Sequence, residues 1–323
     1  MLIETYSHPK SRDFSIPNED TVLLLPGIAG IFDGATDALG RMIGDLSPGR
    51  LASETIANEC GRLFADETNL KIPMPDLMQH LSNVLEKKTG KFGYHGRPAT
   101  TLALVLHSSD VFRFIVNGDS GIRINEKQVL RHSKRIDDVA AAARIALFNL
   151  KAEQRENPDQ AELETRKVIF LGLSESLAND MISKCDADQV VADTISSCTE
   201  FAPPGEIEVF LLKGIQHQYL FANSTDRVLG YSILNGSNPM MRDVIDITMP
   251  AREIDTIEVF SDGYFEMGPH AAIDSWEDAF AEVERTDFHK IEAFPNVKGS
   301  MSSEFADDRS VITMRRSESD YTD

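Results

Sequence analysis

Two short apolar segments that each end in an Asp-Gly pair limit most strongly how this chain can fold. Residues 28–32 continue into Asp33-Gly34, and residues 257–260 continue into Ser261-Asp262-Gly263. An apolar run of this length is typical of a buried strand, and a sheet holds the carboxylate after such a strand in a fixed position. The glycine lets the backbone turn and brings a carbonyl oxygen close to whatever the carboxylate binds.

Two further acidic motifs, Asn18-Glu19-Asp20 and Asp307-Asp308, lie towards the two ends of the chain. Carboxylates from several strand ends converge only when something positive offsets their mutual repulsion. Hard divalent cations such as Mg²⁺ and Mn²⁺ do this through oxygen ligands. The four motifs together therefore predict a cation site built from carboxylates.

The charge balance argues against two common classes of partner. Among the 323 residues, 52 acidic side chains outnumber 32 basic ones, which gives a formal net charge of −20. Such a surface repels nucleic-acid phosphates and anionic lipid. We therefore expect no nucleic-acid partner and no membrane partner.

Cysteine usage and hydropathy indicate the compartment. Cys60, Cys185 and Cys198 form an odd, sparse set without metal-ligand spacing, which is typical of a reducing environment. No apolar stretch approaches the length of a membrane span, and the first residues lack the basic and apolar regions of a signal peptide. The sequence predicts a cytoplasmic protein, and we expect a monomer.

The order of the periodic segments predicts antiparallel sheets covered by helices rather than a regular βαβ alternation. Strand patterns cover residues 21–33, a hairpin at 100–117, and segments at 207–212, 219–223, 244–248, 257–260 and 310–315. Helical patterns begin at Ser47-Pro48, where serine is the N-cap, and cover residues 76–88, 134–157, 188–198 and 275–284.

Five motifs in this order resemble the metal-dependent protein phosphatases of the PPM type, the protein phosphatase 2C-like family. The four acidic motifs match, and Asn117-Gly118-Asp119-Ser120 resembles the Gly-Asp-Ser hairpin motif of the family. An Asp-Gly pair alone is usually an ordinary turn, so the order of all five over about residues 15–315 carries the resemblance. It implies an α+β fold: a four-layer αββα sandwich of two antiparallel sheets flanked by helices, with a two-metal site at one end.

The resemblance also assigns the principal site residues. It implies that Asp33 bridges two Mg²⁺ or Mn²⁺ ions and that Gly34 supplies a carbonyl ligand. Asp262 and Asp307 match ligands of one ion, and Asp33 and Asp262 are the predicted catalytic residues. Asp307 is favoured over its neighbour Asp308 by the register of the motif.

The remaining site residues follow from the same resemblance. Glu19 and Asp20 match acidic groups that hold the other ion, partly through water, and Asp119 matches a residue of a weaker third site. Arg12 is the candidate contact for the substrate phosphate, since Ser15 stands where the family often has arginine.

Two other departures bear on the chemistry. The family often has histidine after the first Asp-Gly pair, as the acid that protonates the leaving alcohol, and this chain has Ala35. Asp308 stands where asparagine is common. We expect one phosphatase domain over residues 1–315, with an enlarged flap or insert around 134–205 and a frayed tail at 316–323.

Three functions remain open at this stage. The first is a metal-dependent phosphatase that hydrolyses phosphoserine or phosphothreonine in proteins with water activated by two ions. The second is a pseudophosphatase, in which the same fold serves as a regulatory binding module; Ala35 and the missing arginine favour it. The third is a cation site that stabilises the fold and catalyses nothing. The first is preferred, because converged carboxylates cost stability unless they bind cations.

Overall fold

The computed structural model describes residues 1–36, 41–90 and 98–316, so the predicted frayed tail lies outside the described residues except for Arg316. The chain divides into two compact units. We call residues 1–133, 232–283 and those from 307 onward the sandwich unit, and residues 134–231 with 284–306 the helical unit. The described part of the chain contains no helix with the length and hydrophobicity that a membrane span requires.

The strands of the sandwich unit form two antiparallel sheets of five strands each. The strands are β1 (Leu2–His8), β2 (Thr21–Leu25), β3 (Ile28–Phe32), β4 (Leu102–His107), β5 (Val111–Asn117), β6 (Gly121–Ile124), β7 (Gln128–Leu130), β8 (Val244–Pro250), β9 (Thr256–Phe260) and β10 (Arg309–Arg315). The first sheet has the order β1-β10-β9-β6-β7, and the second has the order β2-β3-β4-β5-β8.

Successive side chains along each strand point to opposite faces of its sheet, so one set packs between the two sheets and the other set packs on the outer faces. One buried cluster joins the inner faces and includes Ile31, Phe114, Ile257 and Ile312. The other face of the second sheet packs on helices α1 (Pro48–Phe64) and α2 (Met74–Thr89) through a separate cluster. This alternation is what two sheets, each buried on both faces, require.

The fourth layer is helix α8 (Ile273–Thr286), on the outer face of the first sheet. Its Trp276 ring lies with its centroid 5.0 Å from that of Phe260 in β9. The layers are therefore helix, sheet, sheet and helix, and the predicted α+β sandwich of two antiparallel sheets flanked by helices is confirmed.

The helical unit has its own core. Its helices are α3 (Arg135–Ala152), α4 (Pro158–Leu171), α5 (Leu173–Ala178), α6 (Lys184–Cys198) and α7 (Pro204–Lys213). Their apolar faces meet in one cluster, and the buried Arg144 guanidinium of α3 is paired with Glu162 of α4 at 2.8 Å. The expected insert at 134–205 falls within this unit, and its status as an insertion into a single phosphatase domain stays a prediction.

Two segments in the helical unit differ from the sequence prediction. Residues 207–212 were predicted as a strand but belong to helix α7, and residues 219–223 follow or end a 3-10 helix at Ile215–Leu220. Pro204 provides the first helical residue, and Ile207, Phe210 and Leu211 are buried at helical spacing. A short apolar run does not distinguish a strand from one face of a helix, which explains the error.

The edge strand β1 carries no sequence signal. Its half-buried residues are Glu4, Tyr6 and His8, whereas the apolar Leu2 and Ile3 are exposed, so no alternation of apolar and polar residues marks the strand. It is held by an antiparallel ladder to β10, from Leu2 opposite Arg315 to His8 opposite Arg309. This pairing brings the residues just after β1 to the beginning of β10, beside Asp307-Asp308.

Candidate metal centre

Strand register brings the acidic motifs to one edge of the two sheets. In the second sheet Thr21 pairs with Phe32, so the residues before β2 lie beside those after β3. In the first sheet Val311 pairs with Phe260, so the residues before β10 lie beside those after β9. Gly121, at the start of β6, also pairs with Phe260. Convergence of the motifs is thus a consequence of antiparallel pairing.

Three of the predicted residues form a compact carboxylate cluster. Asp33, Asp119 and Asp262 each contribute an oxygen, and these oxygens all lie within 4.8 Å of one another. We call these residues the three-aspartate cluster. Asp33 and Asp262 are half-buried and Asp119 is buried. The sequence linked Asp119 only to a weaker site, and the structure brings it next to the two central aspartates.

The backbone of Asp33 is fixed from both sides by the neighbouring strand. Its carbonyl accepts hydrogen bonds from the Thr101 amide at 2.9 Å and from the Thr100 hydroxyl at 2.8 Å. Its own amide donates to the Thr101 hydroxyl at 3.2 Å. Desolvation, followed by the charges of Asp262, Asp20, Asp119 and Asp307, raises the pKa of Asp33 well above its ordinary value. The side chain is therefore held among other acids by a rigid backbone.

Asp119 is positioned by a tight turn between β5 and β6. Gly118 has φ +96°, and a side chain there would meet the Thr101 side chain at 2.8 Å. The Arg131 guanidinium donates to the Asp119 carbonyl at 2.6 Å. The hydroxyls of Ser120 and Thr101 are hydrogen-bonded at 2.6 Å, which ties this turn to the strand that holds Asp33. Both aspartates therefore depend on Thr101.

Asp262 follows a serine that connects β9 to β10. The Ser261 amide donates to the Ser310 carbonyl at 3.0 Å, and the Ser310 amide donates to the Ser261 hydroxyl at 2.8 Å. Gly263 then passes so close to the other acidic motif that a Cβ atom there would meet the Asp308 carbonyl oxygen at 1.9 Å. Glycine at 263 is therefore required by close packing of two backbones.

This packing leads to a stability prediction. We expect Gly263→Ala to lower the free energy of unfolding by about 1–3 kcal/mol, the usual cost of overpacking, and to lower metal affinity by displacing Asp307 and Asp308. Urea denaturation measures the first effect. Gly205→Ala is the matched control, since an added Cβ there has nothing within 4 Å. Equal unfolding free energies for the two variants would contradict the packing argument.

Asp20 is a buried carboxylate beside the cluster. Neither of its oxygens has a hydrogen-bond partner of normal geometry in the part of the chain that the structure describes. Desolvation and then the charges of Asp308 and Asp262 raise the pKa of Asp20 to about 8, against partial stabilisation by nearby serine hydroxyls. A buried carboxylate with only weak contacts to nearby hydroxyls is a group that a cation or its hydration water would satisfy.

Glu19, the neighbour of Asp20, has a different environment. Its Oε1 accepts a hydrogen bond from the Ser47 hydroxyl at 2.6 Å, and its Oε2 accepts one from the Lys10 ammonium at 3.1 Å. The start of α1 also holds its backbone, since the Ser53 hydroxyl donates to the Glu19 carbonyl at 2.7 Å. Both carboxylate oxygens are thus engaged by protein donors.

Lys10 is the site residue that sequence reasoning missed. Its side chain is buried, and its ammonium lies 3.1 Å from Glu19, 3.0 Å from the Thr36 hydroxyl and 3.6 Å from Asp308. Desolvation alone would lower the pKa of Lys10, but the charges of Asp308, Asp307 and Glu19 outweigh it and raise the pKa. The pairing of β1 with β10 delivers this lysine to the acidic edge, and no local sequence pattern indicates that pairing.

The other predicted residues lie around this centre. Asp307 is half-buried, its Oδ1 accepts the Asp308 amide at 3.0 Å, and its charge contributes to the raised pKa of Asp33. Gly34 is buried and forms an isolated bridge with Thr100. Arg12 is half-buried in the turn after β1, two residues beyond Lys10, and its contact with substrate phosphate stays a prediction.

Comparison with known proteins gives structural neighbours only. No family model matches the chain, and no curated protein matches it. A bacterial serine phosphatase is similar, with 10% identity, a TM-score of 0.47, and 97% of this chain and 96% of the other covered. MsPP, a PPM Ser-Thr phosphatase from Mycobacterium smegmatis solved with cacodylate, is similar with 12% identity and a TM-score of 0.46, and the alignment covers 98% of this chain and 99% of MsPP. The catalytic domain of the serine/threonine phosphatase PstP, solved with two manganese ions, is similar with 11% identity and a TM-score of 0.45, and the alignment covers 97% of this chain and 96% of that domain.

All three neighbours are named as phosphatases, and MsPP is named as a PPM Ser-Thr phosphatase. The three alignments cover nearly the full length of this chain. At identities of 10–12% the likeness concerns the course of the chain and not its chemistry. The function has to be inferred from the site residues themselves.

Proposed function

We propose that this protein is a metal-dependent phosphatase that hydrolyses phosphomonoesters, with phosphoserine or phosphothreonine in proteins as the substrate class. The observation that carries the proposal is the three-aspartate cluster, whose carboxylate oxygens lie within 4.8 Å of one another at one edge of the sandwich. Acidic groups at this separation repel one another strongly unless a cation or protons neutralise them.

The donor set fits a hard divalent cation. The cluster offers carboxylate oxygens, and the buried Asp20 oxygens beside it lack hydrogen-bond partners among the described residues. Oxygen-only sites of this kind suit Mg²⁺ or Mn²⁺ and not Zn²⁺, which takes mainly nitrogen and sulfur ligands. Asp33, Asp119 and Asp262 would hold one ion. A second ion at Glu19 and Asp20, and a third, stay predictions.

The chain's own residues would prepare the site for phosphoester hydrolysis. When bound, divalent cations activate water as a nucleophile and neutralise charge on phosphoryl oxygens. Thr100 and Thr101 fix the Asp33 backbone, and Ser261 fixes the start of the loop that carries Asp262. The side chains thus need little rearrangement when a cation and a substrate bind, which is the basis of preorganised electrostatic stabilisation.

The pseudophosphatase remains the alternative, and one observation favours it. Ala35 is exposed, its methyl group has no proton to give, and its amide is used in a 2.9 Å hydrogen bond to the Ala99 carbonyl. A binding module needs no general acid, whereas an enzyme without one needs another proton source. The retained three-aspartate cluster favours the enzyme. For either function, a monomer in the cytoplasm stays a prediction.

Metal removal tests the proposed function. We expect hydrolysis of an aryl phosphate and of a phosphothreonine peptide with Mn²⁺ or Mg²⁺ and none after chelation, because oxygen ligands alone bind these ions weakly and reversibly. Readdition of either ion after chelator removal should restore turnover. Full activity in protein shown to be free of metal would exclude the proposal, and metal binding without turnover would favour the binding module.

A further inference from the structure

The Lys10 ammonium is held inside the protein by two hydrogen bonds and an ion pair. It carries three N–H donors, and it faces three acceptors: Glu19 Oε2 at 3.1 Å, the Thr36 hydroxyl at 3.0 Å and Asp308 Oδ2 at 3.6 Å. The residue as a whole is 8% exposed. The two hydrogen bonds and the ion pair with Asp308 direct the ammonium at side chains of the protein, so we infer that it acts on these carboxylates and not on a substrate phosphate.

The two carboxylates that Lys10 contacts also accept hydrogen bonds from other protein groups. Glu19 accepts from Ser47 on its other oxygen at 2.6 Å. Asp308 accepts the Lys10 amide at 2.6 Å on Oδ1 and the Glu19 amide at 3.1 Å on Oδ2. Lys10 thus contacts three segments of the chain, at Glu19, Thr36 and Asp308, and each segment is next to one of the acidic motifs.

From these contacts we propose that the Lys10 ammonium is a built-in cation that takes the place of a second divalent ion, so that the centre binds a single divalent ion at the three-aspartate cluster. This inference rests on the proposed function only in requiring that the cluster bind a cation. It differs from the two-ion arrangement that the family resemblance implies. Glu19 is then an ion-pair partner of lysine and not a group that holds metal.

The charge balance agrees with this assignment. Glu19 and Asp308 lie on the lysine side of the site, whereas Asp33, Asp119 and Asp262 form the separate cluster. The cost of removing water from the lysine ammonium is part of the free energy of folding, so no free ion has to lose its water there when the site is filled. A divalent ion at the same place would have to approach a fixed positive charge.

The test is the number of Mn²⁺ ions bound per chain, measured by equilibrium dialysis and by calorimetric titration of metal-free protein. We expect a single ion for the wild type. Lys10→Met has a similar length but no charge, and it leaves Glu19 and Asp308 without their cation, so it should bind a second ion. Lys10→Arg is the matched control that keeps the charge, and it should bind a single ion.

A second variant decides the question if Lys10→Met does not fold. In the two-ion arrangement, Glu19→Gln removes a carboxylate that holds metal. In the single-ion arrangement, it removes only one of the groups that contact Lys10. Loss of a residue that only orients a metal ligand typically lowers metal affinity by about 10- to 100-fold. We expect Glu19→Gln to bind the same number of Mn²⁺ ions as the wild type, with an affinity within about 3-fold of the wild-type value. A lost ion, or affinity lowered beyond that, overturns the inference.

The outcomes also separate this inference from the proposed function. Two ions in the wild type, or an unchanged single ion in folded Lys10→Met, would overturn the inference and leave a metal-dependent phosphatase intact. No Mn²⁺ binding in the wild type would overturn both. Metal-dependent turnover together with a single bound ion, which increases to two in Lys10→Met, supports both.

Discussion

Asp33→Asn should abolish phosphatase activity, with a loss larger than that of any other single change at the acidic edge. Asp33 lies in the three-aspartate cluster and is surrounded by Asp262, Asp20, Asp119 and Asp307. Loss of a partner that only orients a metal ligand typically costs about 10- to 100-fold, so loss of a central ligand should cost more. The measurement is kcat/KM on an aryl phosphate at saturating Mn²⁺. Asp119→Asn should also lower activity, since Asp119 belongs to the same three-aspartate cluster.

The same substitution should make the metal-free protein more stable. The raised pKa of Asp33 means that the folded state binds its proton more tightly than the unfolded chain does. The protonated Asp33 carboxyl therefore stabilises the fold fully when the pH is below its ordinary pKa of about 3.9. This stabilisation is lost as the pH rises towards the raised pKa of the folded state. Asp20, with a pKa of about 8, acts in the same direction. Metal-free wild type should therefore unfold more easily at pH 8 than at pH 5, and Asp33→Asn should reduce that difference.

Urea denaturation of metal-free protein at the two pH values checks this prediction. Asp110→Asn is a suitable control, because Asp110 is an exposed aspartate in the turn between β4 and β5. It should change neither turnover nor the pH dependence of unfolding. Near-normal turnover in Asp33→Asn would show that the reacting centre lies elsewhere.

The central part of the site was predictable from sequence because it follows from strand geometry. An apolar run that ends in Asp-Gly fixes both the strand and the carboxylate after it, as at Asp33 and Asp262. Antiparallel pairing then brings the end of β9 to the start of β10, so that Asp307 and Asp308 approach the same edge. The sequence did not give this strand pairing, and the expectation that the motifs meet came from the charge argument and from the family resemblance.

Lys10 was not predictable in the same way, and the reason is physical. Strand β1 is an edge strand whose half-buried face carries Glu4, Tyr6 and His8, so no alternation of apolar and polar residues marks it in the sequence. Its place is set by the ladder to β10, about 300 residues away in sequence. A lysine near the N-terminus is normally a solvated side chain. Only the partner strand shows that this one is buried against Glu19 and Asp308.

The roles of Glu19 and Asp119 also depend on contacts that motifs do not contain. The motif around Glu19 is the same whether its carboxylate holds a metal or pairs with lysine, and the Ser47 and Lys10 contacts distinguish the two environments. Asp119 reaches the other aspartates through a turn that needs the positive φ of Gly118. Short motifs identify chemical groups, and long-range packing decides which of those groups meet.

Hydrolysis by this protein should depend steeply on the leaving group, because Ala35 stands where the family that the motifs resemble often has a histidine as general acid. A positioned general acid typically contributes about 10²- to 10⁴-fold when the leaving group is basic. The alkoxide of serine or threonine is far more basic than a phenolate, whose parent phenol in tyrosine has a pKa of about 10. Activated aryl phosphates should therefore be hydrolysed much faster than phosphoserine peptides.

The test is a series of aryl phosphates with graded leaving-group pKa, measured on the wild type and on Ala35→His. Ala35 is exposed, so the added ring has room at the surface, and its proton should flatten the dependence and increase peptide turnover. Ala35→Phe, a ring of similar size without a transferable proton, is the control and should leave the slope unchanged. A flat dependence in the wild type would mean that another group or a water already supplies the proton. In that case the absence of histidine would no longer favour a binding module over an enzyme.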